Sequence, residues 1–567
     1  MYLKSPFPAL PTLPEMNYYH AMFGRPDQAS AVDWPDYTVQ IEARTGRKRT
    51  FKQLRERIAW GATALGAKVE DGGLALSGGG DEIVALLGDN SLDFIDACLS
   101  LLAIATPFAL ISTYSTPFEL VHGLKLTKAT RVFVDAHLLK KLLVANREVH
   151  IPLDKIYILN GSATKGHKSL AQLIDGVRLR KIALEAVRPA TKDTLAYLVM
   201  SSGTSGLPKA VMISHGNLLC SIYQGIILAQ VADPFNPNRR PSELVALGAL
   251  PMFHSYGLHS YVFRCTLVQA TFVILPRWNT TEYLQAIPKY RATHLALIPS
   301  AVHQIVTHPD LRKTDLSSVT SIISGAAYLP KQLADKMTSL LSNGSEVSQG
   351  YGLSECTIAA LTRPYAGMLG MGAPPPNVTG ILLSGLEART VREDGSEAGP
   401  NETGELWLRG PNITLGYWNN PKANAEALAG DGWLRTGDQF RIDEKGYFFF
   451  DTLKVSGVQV SPKEIEDVLF SHPGGLITDA TVAGVSGGRT SDEKVPRAWI
   501  VLSKHGRKTG EAAVIKALQE WHHERLSKYK WLRGGIEVVR EIPKNATGKT
   551  LRRELQAKYE AKVKAKL

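Results

Sequence analysis

Short apolar runs, each too brief to be a helix, alternate along the chain with helix-length segments, and this alternation restricts the fold more than any other feature. Glu82-Ile-Val-Ala-Leu-Leu-Gly88 reads as a strand, Asp93 to Leu102 as a helix and Arg131-Val-Phe-Val-Asp135 as a strand again. Tyr197-Leu-Val-Met200, Leu244-Val-Ala-Leu247 and Thr271-Phe-Val-Ile-Leu275 are further buried-strand segments with helices between them. The pattern predicts a layered α/β architecture.

At 567 residues the chain exceeds what one hydrophobic core supports, so several domains are expected. From Leu382 to Arg409 the texture changes to shorter, polar-bounded strands with a turn at Asp394-Gly395. After Lys454 a compact α+β order follows: a β-like run from Leu453 to Val460, a helix from Pro462 to Phe470, strands at Ala480 to Val485 and Ala498 to Leu502, a helix near Glu511 to Leu526, and a strand at Gly535 to Val539. The helix at Pro462 is announced by Ser461-Pro-Lys-Glu464, a capping box with proline at the first helical position. The expected division is a large layered α/β domain over 1–449, with a β-rich subdomain from about 380, then a joint at 450–453 and a small α+β domain over 454–567.

Composition narrows the function. Hydrophobic residues make up 44% and charged residues 21%, as in soluble globular proteins. No contiguous apolar run reaches the roughly 18 residues of a membrane span; Cys98 to Ile111 comes nearest and is interrupted by Pro107. The first sixteen residues lack a signal-peptide core and read as a proline-rich arm. Cys98, Cys220, Cys265 and Cys356 have neither metal-ligand nor redox spacing, which fits a reducing compartment. The net charge of +12 is scattered rather than clustered, and no nucleic-acid-binding signature accompanies it, so polyanionic small molecules are the better match. Ala565-Lys566-Leu567 resembles the Ser-Lys-Leu peroxisomal address and makes a peroxisomal import receptor an expected partner.

The strongest local signal is Ser201-Ser-Gly-Thr-Ser-Gly-Leu-Pro-Lys209, into which an apolar strand empties. Small residues let backbone N–H groups approach phosphate oxygens, hydroxyls add donors, and Lys209 adds positive charge. The spacing is not that of a Walker loop. Taken alone, other residues have bland readings: Glu355 as a solvated turn residue, Asp438 as an Asx-turn, His254 as a hydrogen-bonded core histidine, Tyr351 as packing, and Lys549 as a surface charge.

That loop resembles the nucleotide loop of the adenylate-forming enzymes, which include acyl- and aryl-CoA synthetases, firefly luciferase and peptide-synthetase adenylation domains. Further motifs of the family follow in order: Pro251-Met-Phe-His-Ser-Tyr-Gly257, Ser324-Gly-Ala-Ala-Tyr-Leu-Pro330, Gln349-Gly-Tyr-Gly-Leu-Ser-Glu355, Gly404-Glu-Leu-Trp-Leu-Arg-Gly410, Gly416-Tyr-Trp418, Gly432-Trp-Leu-Arg-Thr-Gly-Asp438 and Pro543-Lys-Asn-Ala-Thr-Gly-Lys549. The subgroup they look most like is the 4-coumarate–CoA ligase-like enzymes. The resemblance implies ATP, Mg²⁺ and coenzyme A as partners in a two-step reaction, with a carboxylic acid adenylated first and the acyl group then passed to a thiol. It implies that Ser201, Ser202, Gly203, Thr204, Ser205, Gly206 and Lys209 hold phosphates. Ser324, Gly325, Ala326, Ala327, Gln349, Gly350, Tyr351, Gly352, Leu353 and Ser354 would enclose adenine and the acyl group, and Asp438 the ribose. It further implies that Glu355 and Thr204 hold Mg²⁺, that His254 is a gate positioning the carboxylate, and that Lys549 bridges carboxylate and α-phosphate. Lys454 and Gln459 would contact nucleotide or phosphate, and Gly457 on the Lys454–Gly457 strand would admit the pantetheine arm of CoA.

One segment departs from the family's pattern. Members carry an Asp-Arg-x-Lys unit between the aromatic strand and the next strand, whereas Phe450-Asp451-Thr452 here occupies a space about five residues too short. Either Asp451 is the hinge and Thr452 replaces the arginine, or the unit is absent altogether; the second alignment reads more naturally through Asp-Thr-Leu-Lys-Val. A mobile small domain on a shortened hinge, and with it a ligase relative that binds nucleotide or acyl-adenylate without completing the reaction, is the alternative expectation to an active ligase. An oxygenase or a carrier-linked peptide-synthetase module fits the motifs less well, because no oxygen chemistry is specified and no carrier segment follows Lys549.

Overall fold

The computed structural model describes residues 1–23, 34–78, 82–162, 166–201, 208–236, 244–264, 268–326, 329, 331–341, 347–375, 378–392, 394–450, 454–455, 458–459, 462–486, 494–526, 530–544 and 550–564. The alternating segments of the sequence become two layered sheets. In the first, strands run in the order Ile156–Ile158, Arg131–Val134, Val84–Leu87, Phe108–Leu110, Leu195–Ser201 and Lys209–Ser214. All but the last pair are parallel. Val84–Leu87 and Phe108–Leu110 are buried at every position because helices cover both faces, which is why they read as unbroken apolar runs. The Cys98 to Ile111 stretch ends the buried helix Leu92–Ala103 and becomes the strand Phe108–Leu110.

The second sheet has at its centre the parallel strands Ala270–Ile274, Leu244–Gly248, His294–Leu297, Ser321–Ser324 and Val347–Tyr351. Their carboxyl ends carry the motif segments beginning at Pro251, Ser324 and Gln349. In open α/β sheets that is the edge where ligands bind. Gln349 to Tyr351 belong to a strand, which the chain leaves at Gly352. A third sheet, antiparallel, pairs Glu387–Val391, Thr403–Arg409, Trp433–Ile442 and Phe448–Phe450, the β-rich texture read from the sequence.

The expected proline-rich arm is not a free tail. Tyr2–Lys4 pairs antiparallel with Glu387–Val391 and Phe7 is buried beyond it. The helix His215–Ala232, with the turn that follows, is the one helix among the described residues long and apolar enough to cross a membrane by length and composition, at mean hydropathy 1.3, as a core helix of a folded domain also is. Polar residues interrupt its apolar run. Two of them bind it into the fold, since Asn217 Nδ2 donates to the carbonyls of Pro411 and Ile413, and Gln224 Nε2 to that of Ser384.

Beyond residue 462, the helices Pro462–Phe470 and Glu511–Arg525 pack on a sheet of Ile477–Ser486, Lys494–Leu502 and Ile536–Val538, with a core of its own around Ile465, Leu469, Val482, Ile500 and Leu518. The β-like run expected from Leu453 to Val460 is not one strand. Lys454–Val455 and Val458–Gln459 pair antiparallel with each other. Residues 451–453 and the Ser461 cap of the following helix lie outside the described residues.

Candidate functional site

The ends of the Gly/Ser/Thr loop are pinned by the hairpin Leu195–Ser201 and Lys209–Ser214, where Ser201 and Lys209 are register partners. Ser202, Gly203, Thr204, Ser205 and Gly206 lie outside the described residues. The Gly416-Tyr-Trp segment is laid along the second strand of this hairpin: Met212 N donates to Gly416 O at 2.8 Å and Trp418 N to Ala210 O at 2.8 Å. That places the Tyr417 ring 5.0 Å beneath the Lys209 ammonium, and the Tyr417 hydroxyl donates to Glu355 Oε1 at 2.9 Å. Burial first, then the Glu355 carboxylate, raises the Tyr417 phenol well above its ordinary value, so it remains a donor.

Glu355 lies on a short helical turn, Ser354–Cys356, and is itself buried. Its position is fixed from behind. Thr357 donates to Asn412 O at 2.6 Å, Asn412 Nδ2 donates to Cys356 O at 3.1 Å, and Thr414 N donates to Glu355 O at 2.9 Å. Gly352 is required where the chain leaves the strand, since a Cβ there would stand 1.8 Å from Ile358 O. The bland reading of Glu355 as a solvated turn residue does not hold.

Tyr351 Oη donates to Asp438 Oδ2 at 2.8 Å, joining the second sheet to the β-rich sheet. Asp438 reaches it through a bulge: Thr403–Arg409 pairs with Trp433–Ile442 in a register that shifts between Glu405 and Trp407, opposite Thr436 to Asp438. Such a bulge re-aims side chains on a strand. Thr436 Oγ1 accepts from Asp438 N and Gly437 N donates to Glu405 Oε1, which hold the bulge. Burial, followed by the Asp438 carboxylate, raises the Tyr351 phenol far above its usual range. Behind Tyr351 the rings of Phe440 and Phe450 stand 4.8 and 6.3 Å away.

His254 precedes the short helix Ser255–Leu258. It is not the hydrogen-bonded core histidine of the bland reading: its Nε2 is buried with no hydrogen-bond partner. Burial pushes the imidazole down to about 4, so it is neutral near pH 7. Ser255 Oγ donates to Ser354 Oγ at 3.1 Å and Tyr256 Oη to Ile323 O at 3.1 Å, which tie this segment to the Glu355 turn and to the strand before Ser324. Ser324 Oγ is buried without a partner, and Ala326 adopts a φ of 69°, a strained conformation for a non-glycine residue. Gln349 Oε1 accepts from Leu329 N.

A cavity of about 810 Å³ lies between the large sheets and the C-terminal part. Ala326, Gln349 to Leu353 and Asp438 line one side; Arg540, Lys544 and Arg552 line the other. The structure thus brings together Ala326, Gln349, Gly350, Tyr351, Gly352, Leu353 and Asp438, with Ser324, Gly325, Ser354 and Glu355 on the segments adjoining them. Ala327, Gly457 and Lys549 are outside the described residues, as are Ala565, Lys566 and Leu567; Lys454 and Gln459 are described only as strand backbone. Tyr417 is the site residue that the sequence reading passed over, although the Gly416-Tyr-Trp motif had marked it.

The donors at Glu355 are hard oxygens: a buried carboxylate with one oxygen pinned by a phenol. That chemistry fits a magnesium ion beside phosphates.

Residues 27–418 match the model of the AMP-binding enzyme family and residues 464–549 that of the AMP-binding enzyme C-terminal domain. The chain is 29% identical to a probable 4-coumarate–CoA ligase of Dictyostelium discoideum, over 98% of this chain and 97% of that protein. It is 30% identical to a peroxisomal OPC-8:0-CoA ligase of Arabidopsis thaliana, over 91% of this chain and 89% of that one. Among solved structures it superimposes on an anthranilate CoA ligase in complex with anthranoyl-AMP with a TM-score of 0.80 at 24% identity, over 98% of this chain and 99% of the other.

Proposed function

Because the chain belongs to the AMP-binding enzyme family, among acyl- and aryl-CoA ligases, we propose that it adenylates a carboxylic acid with ATP and transfers the acyl group to coenzyme A. The observation that carries the reading is a pair of preformed contacts, Tyr351 to Asp438 on the cavity wall and, on the segment that continues from Leu353, Lys209 over Tyr417 to Glu355. One contact suits a nucleoside and the other its phosphates.

In the first step the acid's carboxylate oxygen attacks the α-phosphorus and pyrophosphate leaves, giving the acyl-adenylate. Asp438 accepts from the ribose hydroxyls, and Tyr351 gives its ring to the adenine. Lys209 and the Ser201–Gly206 loop draw in the phosphates, and Glu355 with Thr204 would hold Mg²⁺, which neutralises phosphate charge. Neutral His254 orients the incoming carboxylate without adding a charge of its own. Lys549 bridges the carboxylate and the α-phosphate as negative charge develops, an electrostatic contribution of several kcal/mol in such sites. In the second step the CoA thiolate attacks the acyl carbon and AMP departs, with Gly457 beside the pantetheine arm. Pyrophosphate release and CoA thioester formation across a panel of aryl, phenylpropanoid and medium-chain acids test this. A panel with no pyrophosphate release from the intact chain, under conditions in which ATP binds, would overturn it.

The short join supports a second reading. Only residues 451–453 separate the strands Phe450 ends and Lys454 begins, so we also propose that the chain is limited in the domain rotation between steps. Inserting five residues after Phe450 raises thioester formation under this reading and leaves it unchanged if the joint is adequate. Peroxisomal residence, proposed from Ala565-Lys566-Leu567, is tested by an N-terminally labelled chain with and without the tripeptide.

A further inference from the structure

Resting on the ligase reading, the geometry points to the class of acid: we propose that the substrate carries a second carboxylate at its far end, received by Arg264. After His254 the chain runs as Ser255–Leu258 and a wider π-helical turn, His259–Phe263, capped by Arg264, whose N–H donates to His259 O at 3.0 Å. This segment is buried nearly throughout. Partial exposure recurs at Tyr256, Ser260 and Arg264, every fourth residue, and so forms one strip along an otherwise enclosed helix.

The strip begins at the adenylate site. Tyr256 donates to Ile323 O, and its ring lies so close to Gly325 that a Cβ there would come within 3.2 Å. The strip ends at a cation, Arg264. No acidic side chain among the described residues pairs with Arg264, and its Nε is buried with no hydrogen-bond partner. The groups that sense its charge are the phenols of Tyr18 and Tyr256 and the imidazole of His259, and burial lowers its pKa.

An arginine kept inside a protein without a counter-charge is unfavourable, and a carboxylate that meets the guanidinium fork relieves that cost with two parallel hydrogen bonds. At the other end, His254 Nε2 is likewise buried and unpartnered. An orphaned polar group therefore stands at Arg264 and another at His254, just before the strip begins, matching an acid with two polar termini. Eight residues at the α-helical rise would span roughly 12 Å, and the wider π-helical turn rises less per residue, so Arg264 stands somewhat nearer than that to Tyr256. The two carboxylates are thus separated by a chain or ring system of medium length, not by one or two carbons.

The test compares octanedioic and decanedioic acids with octanoic and decanoic acids on the intact chain, scored by CoA thioester formation. The diacids are expected to be favoured at least tenfold in kcat/KM, and Arg264→Met should erase that preference while Arg264→Lys keeps part of it. Equal or better use of the mono-acids by the unmodified chain overturns the proposal and leaves the ligase reading intact. The unmodified chain's preference decides the matter should Arg264→Met not fold. If no acid yields thioester the ligase reading fails, and calorimetric titration of the same protein still decides about Arg264. Decanedioate bound tenfold more tightly than decanoate supports its role, and equal binding sinks it.

Discussion

Tyr417→Phe isolates a single atom of the site. The phenylalanine ring keeps the Lys209 ammonium 5.0 Å above it and keeps the buried packing, while the hydroxyl that donates to Glu355 Oε1 at 2.9 Å is lost. A hydrogen bond to a charged acceptor contributes about 1.5–3 kcal/mol, and about 1.4 kcal/mol is a factor of ten, so the adenylation step is expected to slow by roughly 10- to 150-fold. The loss falls on Glu355, which is 6% exposed and gets little replacement from solvent. The assay is pyrophosphate release at saturating ATP and acid, with Mg²⁺ titrated in parallel. A carboxylate freed to turn away should need more Mg²⁺ to reach half-maximal rate, a shift that a purely structural role for Tyr417 does not produce. Thioester formation from preformed acyl-adenylate serves as the internal control and is expected to change little. A Tyr417→Phe enzyme within twofold of wild type in both rate and Mg²⁺ requirement would refute the assignment of Tyr417 as the residue that aims Glu355.

Other expectations follow from the same contacts. Tyr351→Phe keeps the ring but leaves Asp438 without its 2.8 Å partner and should weaken ATP about tenfold in KM, read in the same assay; an unchanged KM would show that the Tyr351 hydroxyl does not hold Asp438 for the ribose. Lys549→Ala is expected to lower adenylation by about 100-fold or more and to spare thioester formation from acyl-adenylate, since the electrostatic role belongs to the first step. Gly352→Ala drives a methyl group toward Ile358 O and should cost about 1–3 kcal/mol in denaturation as well as activity, with wild-type stability the contrary result. Burial pushes His215 down to about 4 from 6.5, and its Nδ1 already accepts from Tyr18 N. Because the folded value is depressed, its stabilisation is full above pH 6.5 and declines as pH falls toward 4, with about 2 kcal/mol already lost at pH 5. Asp96 and Asp135, raised to about 6 and about 7 chiefly by burial, act in the opposite sense, so the clean measurement is the difference between wild type and His215→Gln at pH 7 and pH 5. Parallel losses in the two proteins would show that His215 contributes nothing to acid sensitivity.

The layered architecture was legible because strands covered on both faces cannot alternate polar and apolar residues; Val84–Leu87 announces itself for that reason. The candidate site was legible as motifs but not as contacts. Nothing in the sequence says that Tyr417 will lie along a strand begun at Lys209, two hundred residues earlier, or that a bulge at Thr436 to Asp438 turns a carboxylate toward Tyr351. Both depend on inter-strand register, which local pattern does not encode. The run from Leu453 to Val460 misled for a related reason: β-branched residues favour extended backbone whether they form one strand or two, and the Ser-Gly at its centre is a weak signal against several valines. Likewise, the prolines of the first sixteen residues hid the edge pairing of Tyr2–Lys4 with a strand almost four hundred residues away.

Phe450 is more than the last residue of its strand. Its ring stands 5.2 Å from Phe440 and 6.3 Å from Tyr351, its N–H donates to Thr379 Oγ1, and its backbone is in register with Phe440. Four Cα steps, spanning at most about 14 Å, then reach Lys454. A linker that needs slack can usually borrow it by unravelling the strand that feeds it, but this strand cannot give up its last residue without loosening the tyrosine proposed to receive adenine. Reach and nucleotide grip are therefore drawn from the same few ångströms of chain, and a bound nucleotide that steadies Tyr351 shortens the tether still further. Whatever turning the small domain achieves, it should turn most freely after AMP has gone.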